Sequence, residues 1–124
     1  MKSQINEMTH SSDDDYAEIR DAVRDLCAQF PDEYHRKIDE QRAYPEAFVD
    51  ALTQAGWMAA LIPQEFGGSG LTMAEASVIM EEINRSGGNS GACHGQMYVM
   101  NAIVRSGSPA QKEFYLPKIA AGQL

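Results

Sequence analysis

The chain has little cysteine, and what it has forms no pattern. Cys27 and Cys93 stand 66 positions apart with no CxxC spacing. That excludes a disulfide framework and a zinc cluster, and two reduced thiols in a cytoplasmic protein are the expectation. Long apolar runs are missing too. No stretch of about 18 apolar residues occurs, so no membrane span is expected. The segment Met1 to Asp15 is polar and lacks the apolar centre of a signal peptide. Positive charge is also scarce, with 10 Lys and Arg against 18 Asp and Glu, for a net charge of −8. Such a surface repels phosphate, which argues against a nucleic-acid partner. No convincing strand, internal repeat or low-complexity tract is present.

The negative charge is uneven. Residues 1–50 hold 13 acidic side chains against 6 basic ones, and residues 51–124 hold 5 against 4. Asp13, Asp14 and Asp15 read as solvated charges at a helix start, where the positive end of the helix dipole favours carboxylates. Hydrophobic residues make up 44% of the 124 positions, enough for one domain with a real core.

Apolar spacing predicts five helices. Tyr16, Ile19, Val23, Leu26 and Phe30 mark the first, over residues 14–30, which Pro31 ends. The stretch Asp32 to Tyr44 is charged and weakly periodic, and reads as a loop with a helical turn. Pro45 suits the start of the second helix, with Phe48, Leu52 and Ala55 as its buried face and Gly56 as its stop. Trp57, Met58, Leu61 and Ile62 follow as an apolar connector. Met73, Ala76, Met80 and Ile83 mark the third helix, ending near Ser86-Gly87-Gly88.

The fourth, from about Ser90 to Ser106, has almost no polar face, and a helix apolar all round is expected to be buried. Ser108 and Gln111 form a capping box around Pro109 at the head of the fifth helix, which Pro117 is expected to kink or interrupt. These elements make an all-α domain over residues 14–124, preceded by a disordered or extended terminus over residues 1–13.

The stretch Pro63 to Thr72, Pro-Gln-Glu-Phe-Gly-Gly-Ser-Gly-Leu-Thr, is the longest break between helical patterns. It ends on a second capping box, Thr72 with Glu75. A glycine-rich loop before a helix can cradle phosphate, but this one lacks the Lys-Ser/Thr ending and the preceding strand. A structural corner is the stronger reading.

Chemistry-bearing residues are sparse. His10, His35 and His94 are scattered, and no Gly-x-Ser-x-Gly elbow exists. His35 and Asp39 share an i, i+4 face, a weak metal signal beside the simpler reading of surface charge. His94 lies one turn before Tyr98 in the near-apolar fourth helix. It is either a core histidine or a polar group on the wall of an apolar pocket.

The runs Gly56-Trp-Met58, Leu61 to Leu71, the Glu81-Glu82 helix, Gly107-Ser-Pro-Ala-Gln-Lys112 and Tyr115-Leu-Pro-Lys-Ile119 with Gly122 resemble, in order and spacing, the N-terminal domain of the acyl-CoA dehydrogenases. The resemblance covers Tyr16 to Leu124. It implies a five-helix orthogonal bundle, to which the family adds a middle β-domain and a C-terminal helical bundle that this chain does not match. In the family those two parts hold most of the FAD and supply the glutamate base, so no catalytic, cofactor or metal residue is expected here, and the chain alone is expected to be colourless and inactive.

The resemblance further implies an acyl-CoA substrate, an electron-transfer flavoprotein as partner, and a homo-oligomer. By position it assigns Ser90, Gly91, His94 and Tyr98 to the acyl-chain pocket. The activity implied for an intact enzyme is α,β-dehydrogenation of acyl-CoA thioesters. Flavin-dependent monooxygenases and nitroalkane oxidases share the architecture and are the alternative, and a stand-alone helical interaction module is a third reading. With the other domains absent, the fourth and fifth helices are expected to present apolar surface and to self-associate.

Overall fold

A computed structural model describes residues 16–124. The expected extended terminus, the Asp13–Asp15 run, the start of the first helix and His10 lie outside the described residues. Within them the protein is all-α, with no strand. Six helices occur rather than the five expected: α1 (Ala17–Cys27), α2 (Asp32–Glu40), α3 (Glu46–Gln54), α4 (Met73–Arg85), α5 (Gly91–Ser106) and α6 (Pro109–Ala120). Short 3-10 turns at Trp57–Ala59 and Gln64–Phe66 link α3 to α4.

The additional helix is α2. Its sequence is weakly periodic because no residue in it is fully buried. Tertiary contacts and end charges support it instead. Asp32 and Glu33 sit in its first turn and Lys37 in its last, which matches the helix dipole. Tyr34 packs edge-on against Phe30, with ring centroids 5.1 Å apart. Its hydroxyl accepts a hydrogen bond from the Phe48 backbone N–H at 3.4 Å, filling an open donor in the first turn of α3.

Helix α1 ends at Cys27, one turn before the predicted Phe30, in tight turns where Gln29 N–H donates to Leu26 and Phe30 N–H to Cys27. Pro31 disfavours helical geometry for the residue before it, which ends the helix early. In α3, Phe48 and Leu52 are buried as expected, whereas Ala55 is exposed just past the helix end.

Both capping boxes form. Thr72 Oγ1 accepts from Glu75 N–H at 3.2 Å while Glu75 Oε1 accepts from Thr72 N–H at 2.9 Å. Ser108 and Gln111 do the same at 3.1 and 2.9 Å.

Pro117 does not interrupt α6, which runs through to Ala120. The proline removes one backbone bond close to the helix end, while Leu116 and Ile119 on either side are buried and anchor the turn.

One core unites all this. Val23 and Cys27 of α1, Phe48 and Leu52 of α3, Met58 to Ile62 of the connector, Ala76, Ile79 and Ile83 of α4, Cys93, Met97 and Met100 of α5, and Leu116 and Ile119 of α6 pack together. Helix α1 lies along α4, and α5 along α6. The connector Trp57–Ala60 is the hub between them, as its apolar sequence implies.

The Pro63–Thr72 loop is a corner built from its own backbone. Ser69 N–H donates to Ala59, Gly70 N–H to Ile62, and Leu71 N–H to Ala60, at 3.1, 2.9 and 2.7 Å. Ser69 Oγ donates to the Gly56 carbonyl at 2.9 Å. Gly68 is required by crowding, since a Cβ there would lie 2.1 Å from the Ile62 carbonyl oxygen. Every N–H from Phe66 to Thr72 is committed inside the protein, so this glycine-rich run offers no backbone donor to a phosphate.

Candidate functional site

Helix α5 is the element that departs most from its expected burial. Only Cys93, Met97 and Met100 are buried on it. Tyr98 is 73% exposed and Val99 53%, and His94, Gly95 and Ala102 are exposed as well. Half of an almost wholly apolar helix therefore faces outward. Its exposed side mixes Tyr98, Val99 and Ala102 with His94, Arg105 and Ser106, so no clean polar stripe marks it in the sequence.

The four residues predicted for the pocket lie in the first two turns of α5. Ser90 is the residue before the helix, and its hydroxyl makes no capping bond. The acceptor at this end is Asn89 Oδ1, which takes the Gly91 N–H at 2.8 Å. His94 N–H donates to the Ser90 carbonyl at 2.8 Å and closes the first turn. Gly91 is exposed and has no side chain to block approach. His94 and Tyr98, one turn apart on the outer face, meet edge-on with ring centroids 6.1 Å apart at 61°. The structure thus gathers all four at one end of α5, with His94 exposed rather than in the core.

Beside this face runs an apolar groove between α5 and α6, with a volume of about 590 Å³. Gly95, Val99, Ala102 and Ile103 form one wall, and Tyr115 and Ile119 the other. None of the four predicted residues lines it. Gln96 stands at its edge, where its Nε2 donates to the Ile119 carbonyl at 3.2 Å and ties α5 to the end of α6. Sequence reading missed Gln96, because a lone glutamine in an apolar helix carries no signal of its partner 23 positions away. Phe114 and Tyr115 on α6 are also exposed, with Lys118 Nζ 3.9 Å from the Phe114 ring centroid.

Nothing at this end supplies a nucleophile. Burial pushes the Cys93 thiol up to about 11, and burial also raises Cys27 against the opposing hydrogen bond from Ser86. Both are inert thiols at neutral pH. No group of three or more potential metal-ligating side chains occurs among the described residues. His35 and Asp39 border a separate cleft with Arg36 and Arg42 between α2 and the α4–α5 loop.

Comparison with known proteins decides what this helical unit is. The family described as acyl-CoA dehydrogenase, N-terminal domain, matches residues 13–123, nearly the whole chain. The chain belongs to the acyl-CoA dehydrogenase family. Its sequence is 34% identical over 109 residues to a mitochondrial isovaleryl-CoA dehydrogenase from Pongo abelii, covering 82% of this chain and 26% of the relative. The bovine enzyme of the same name is 28% identical over 123 residues, covering 96% of this chain and 29% of that one. A (2S)-methylsuccinyl-CoA dehydrogenase from Cereibacter sphaeroides is 32% identical over 108 residues, covering 82% and 20%.

This acyl-CoA dehydrogenase domain therefore spans under a third of the length of these curated relatives. No helix among its described residues is long and apolar enough to cross a membrane.

Proposed function

We propose that the chain is the N-terminal domain of a flavin-dependent acyl-CoA dehydrogenase, and that the first turns of α5 form one wall of its acyl-chain pocket. The carrying observation is the open, apolar and aromatic face of α5, with His94 against Tyr98, in a protein whose own core is otherwise closed. The dehydrogenases among the relatives support this reading over an oxygenase or oxidase of the same fold.

The chain's part in the reaction is positioning. Gly91 leaves room for a chain to pass, the Ser90 hydroxyl is free to meet a polar group, and the His94–Tyr98 pair closes the far end. Holding an acyl group so that its α and β hydrogens face their acceptors lowers the entropy lost in the reaction. An apolar wall also excludes water from the thioester's neighbourhood.

FAD, when bound, supplies the hydride acceptor. Among the described residues, neither the Phe66–Thr72 run, whose backbone donors are all committed, nor the α5–α6 groove, which presents no charged side chain, fits a flavin site. FAD, the catalytic base, an electron-transfer flavoprotein contact and the homo-oligomer interface are assigned to an intact enzyme in the cytoplasm.

The test is His94→Ala in the full-length enzyme. Acyl-length preference in kcat/KM should shift more than the rate on short acyl-CoA thioesters. Unchanged selectivity across chain lengths would remove His94 from the pocket.

A further inference from the structure

Four-residue spacing lays two rows of residues along the outer side of α5. Gly91, Gly95, Val99 and Ile103 make one, and the last three of them wall the apolar groove against α6. Ser90, His94 and Tyr98 make the other. Each side chain in this second row carries a hydrogen-bonding group: a hydroxyl, an imidazole and a phenol. Ser90 Oγ makes no capping bond, and the rings of His94 and Tyr98 meet only each other, edge-on with centroids 6.1 Å apart. Residues 86–104 contain no Asp, Glu, Lys or Arg, so the row is polar without a fixed charge.

This is the wrong surface for a simple hydrocarbon chain. Closing an unsubstituted acyl group over it would strip water from three polar groups and return no hydrogen bond, which weakens binding. Aliphatic side chains, like those of the neighbouring row, would make the same contact without that loss. An oxygen on the acyl group removes the penalty by pairing with the row. An uncharged oxygen fits better than a carboxylate, which would leave water with no Lys or Arg on this wall to offset its charge.

We propose that the acyl group received by this wall carries an uncharged oxygen, as a ketone or hydroxyl, beside His94 and Tyr98, and that these two residues with Ser90 select it over the unsubstituted chain. The proposal rests on reading the α5 start as the acyl-pocket wall. It narrows the substrate class from acyl-CoA thioesters in general to those oxygenated beyond the β-carbon.

The test is kcat/KM of the intact enzyme on acyl-CoA thioesters of one chain length. The acyl group is left unsubstituted, given a keto or hydroxyl oxygen at each carbon beyond the β-carbon in turn, or ended in a carboxylate. At one oxygen position or more, the wild type should favour the oxygenated chain by about tenfold or more over both the unsubstituted and the carboxylate chain. His94→Leu and Tyr98→Phe should each reduce that preference about tenfold. Tyr98 is 73% exposed and its variant loses a single oxygen, so it reports even if the leucine variant fails to fold. A wild type that prefers the unsubstituted or carboxylate chain at every position, or a preference that neither variant lowers, overturns the proposal. The reading of the wall is judged separately, on unsubstituted chains of different lengths. If His94→Leu shifts length selectivity there, the α5 start remains the pocket wall although the oxygen preference has failed. If it shifts neither selectivity, both are overturned.

Discussion

Arg24 of α1 donates its Nε–H to both carboxylate oxygens of Glu82 on α4, at 2.7 and 3.2 Å. Glu82 is fully buried, and Arg20 stands 3.9 Å from the same carboxylate while bonding Glu81 at 2.8 Å. The α1–α4 pair, the most extensive helix contact among the described residues, is thus keyed by one interior anion. Burying a carboxylate is tolerated only when its partners stay in place.

Arg24→Met should therefore destabilise the protein by about 3 kcal/mol, the low end for breaking a buried ion pair, because Arg24 is half exposed and Arg20 remains nearby. The double variant Arg24→Met with Glu82→Met should recover most of that loss. Urea midpoints with unchanged m-values would show both effects.

Acid should weaken the same junction. The hydrogen bond and charge of Arg20 hold the Glu81 carboxyl below its ordinary 4.5. A depressed carboxyl stabilises the fold above its unfolded value, and that contribution disappears as the pH falls through the folded one. Thermal melts between about pH 5 and 3 should lose less stability in Glu81→Gln than in the wild type.

At the alkaline end the sign is reversed. Cys93 ionises at about 11 in the folded protein and near 9.0 when unfolded. Its contribution is complete below 9.0 and fades as the pH rises to about 11. Cys93→Ala should flatten the alkaline limb of the stability profile. In the native wild type at neutral pH, both thiols should react with a disulfide reagent only at the rate of unfolding.

Two glycines should respond in opposite directions. Gly68→Ala forces a methyl group to within 2.1 Å of the Ile62 carbonyl oxygen and should cost about 3 kcal/mol or more. Gly95, inside α5, has nothing within 4 Å of an added Cβ, so Gly95→Ala should stabilise by about 0.5–1 kcal/mol. Calorimetric midpoints would separate them.

The purified chain should be colourless and should self-associate as its concentration rises. Tyr98, Val99, Phe114 and Tyr115 are large apolar or aromatic side chains left exposed on α5 and α6, and exposed apolar patches mark contact surfaces. Val99→Lys with Tyr115→Lys should restore a monomer in sedimentation velocity. Bound flavin absorbance in the purified wild type would contradict the assignment of FAD to the rest of the enzyme.

The legible parts of the fold are those specified by neighbours in sequence. Thr72 with Glu75 and Ser108 with Gln111 announce two helix starts, because capping is a three-residue interaction. The glycine corner is legible for the same reason. Helix α2 was not, since its stability comes from Tyr34 and His35 packing on α3 and not from an apolar stripe of its own. Family likeness alone suggested the residues proposed for the pocket, whereas the Gln96–Ile119 bond at the edge of the α5–α6 groove joins positions with no pattern between them.

By itself the sequence determined that the protein is helical, where α3, α4 and α5 begin and end to within a turn, and to which family it belongs. Those properties follow from short-range hydrogen bonding, proline and glycine geometry, and the period of apolar residues. Only the tertiary structure decided that α5 shows Cys93, Met97 and Met100 to the core and turns Tyr98, Val99 and Ala102 outward, that Glu82 is an interior anion, and that the His35 ring packs against Tyr34 and Phe48. Each depends on which surfaces remain once the core has closed, and a residue's neighbours in sequence do not specify its neighbours in space.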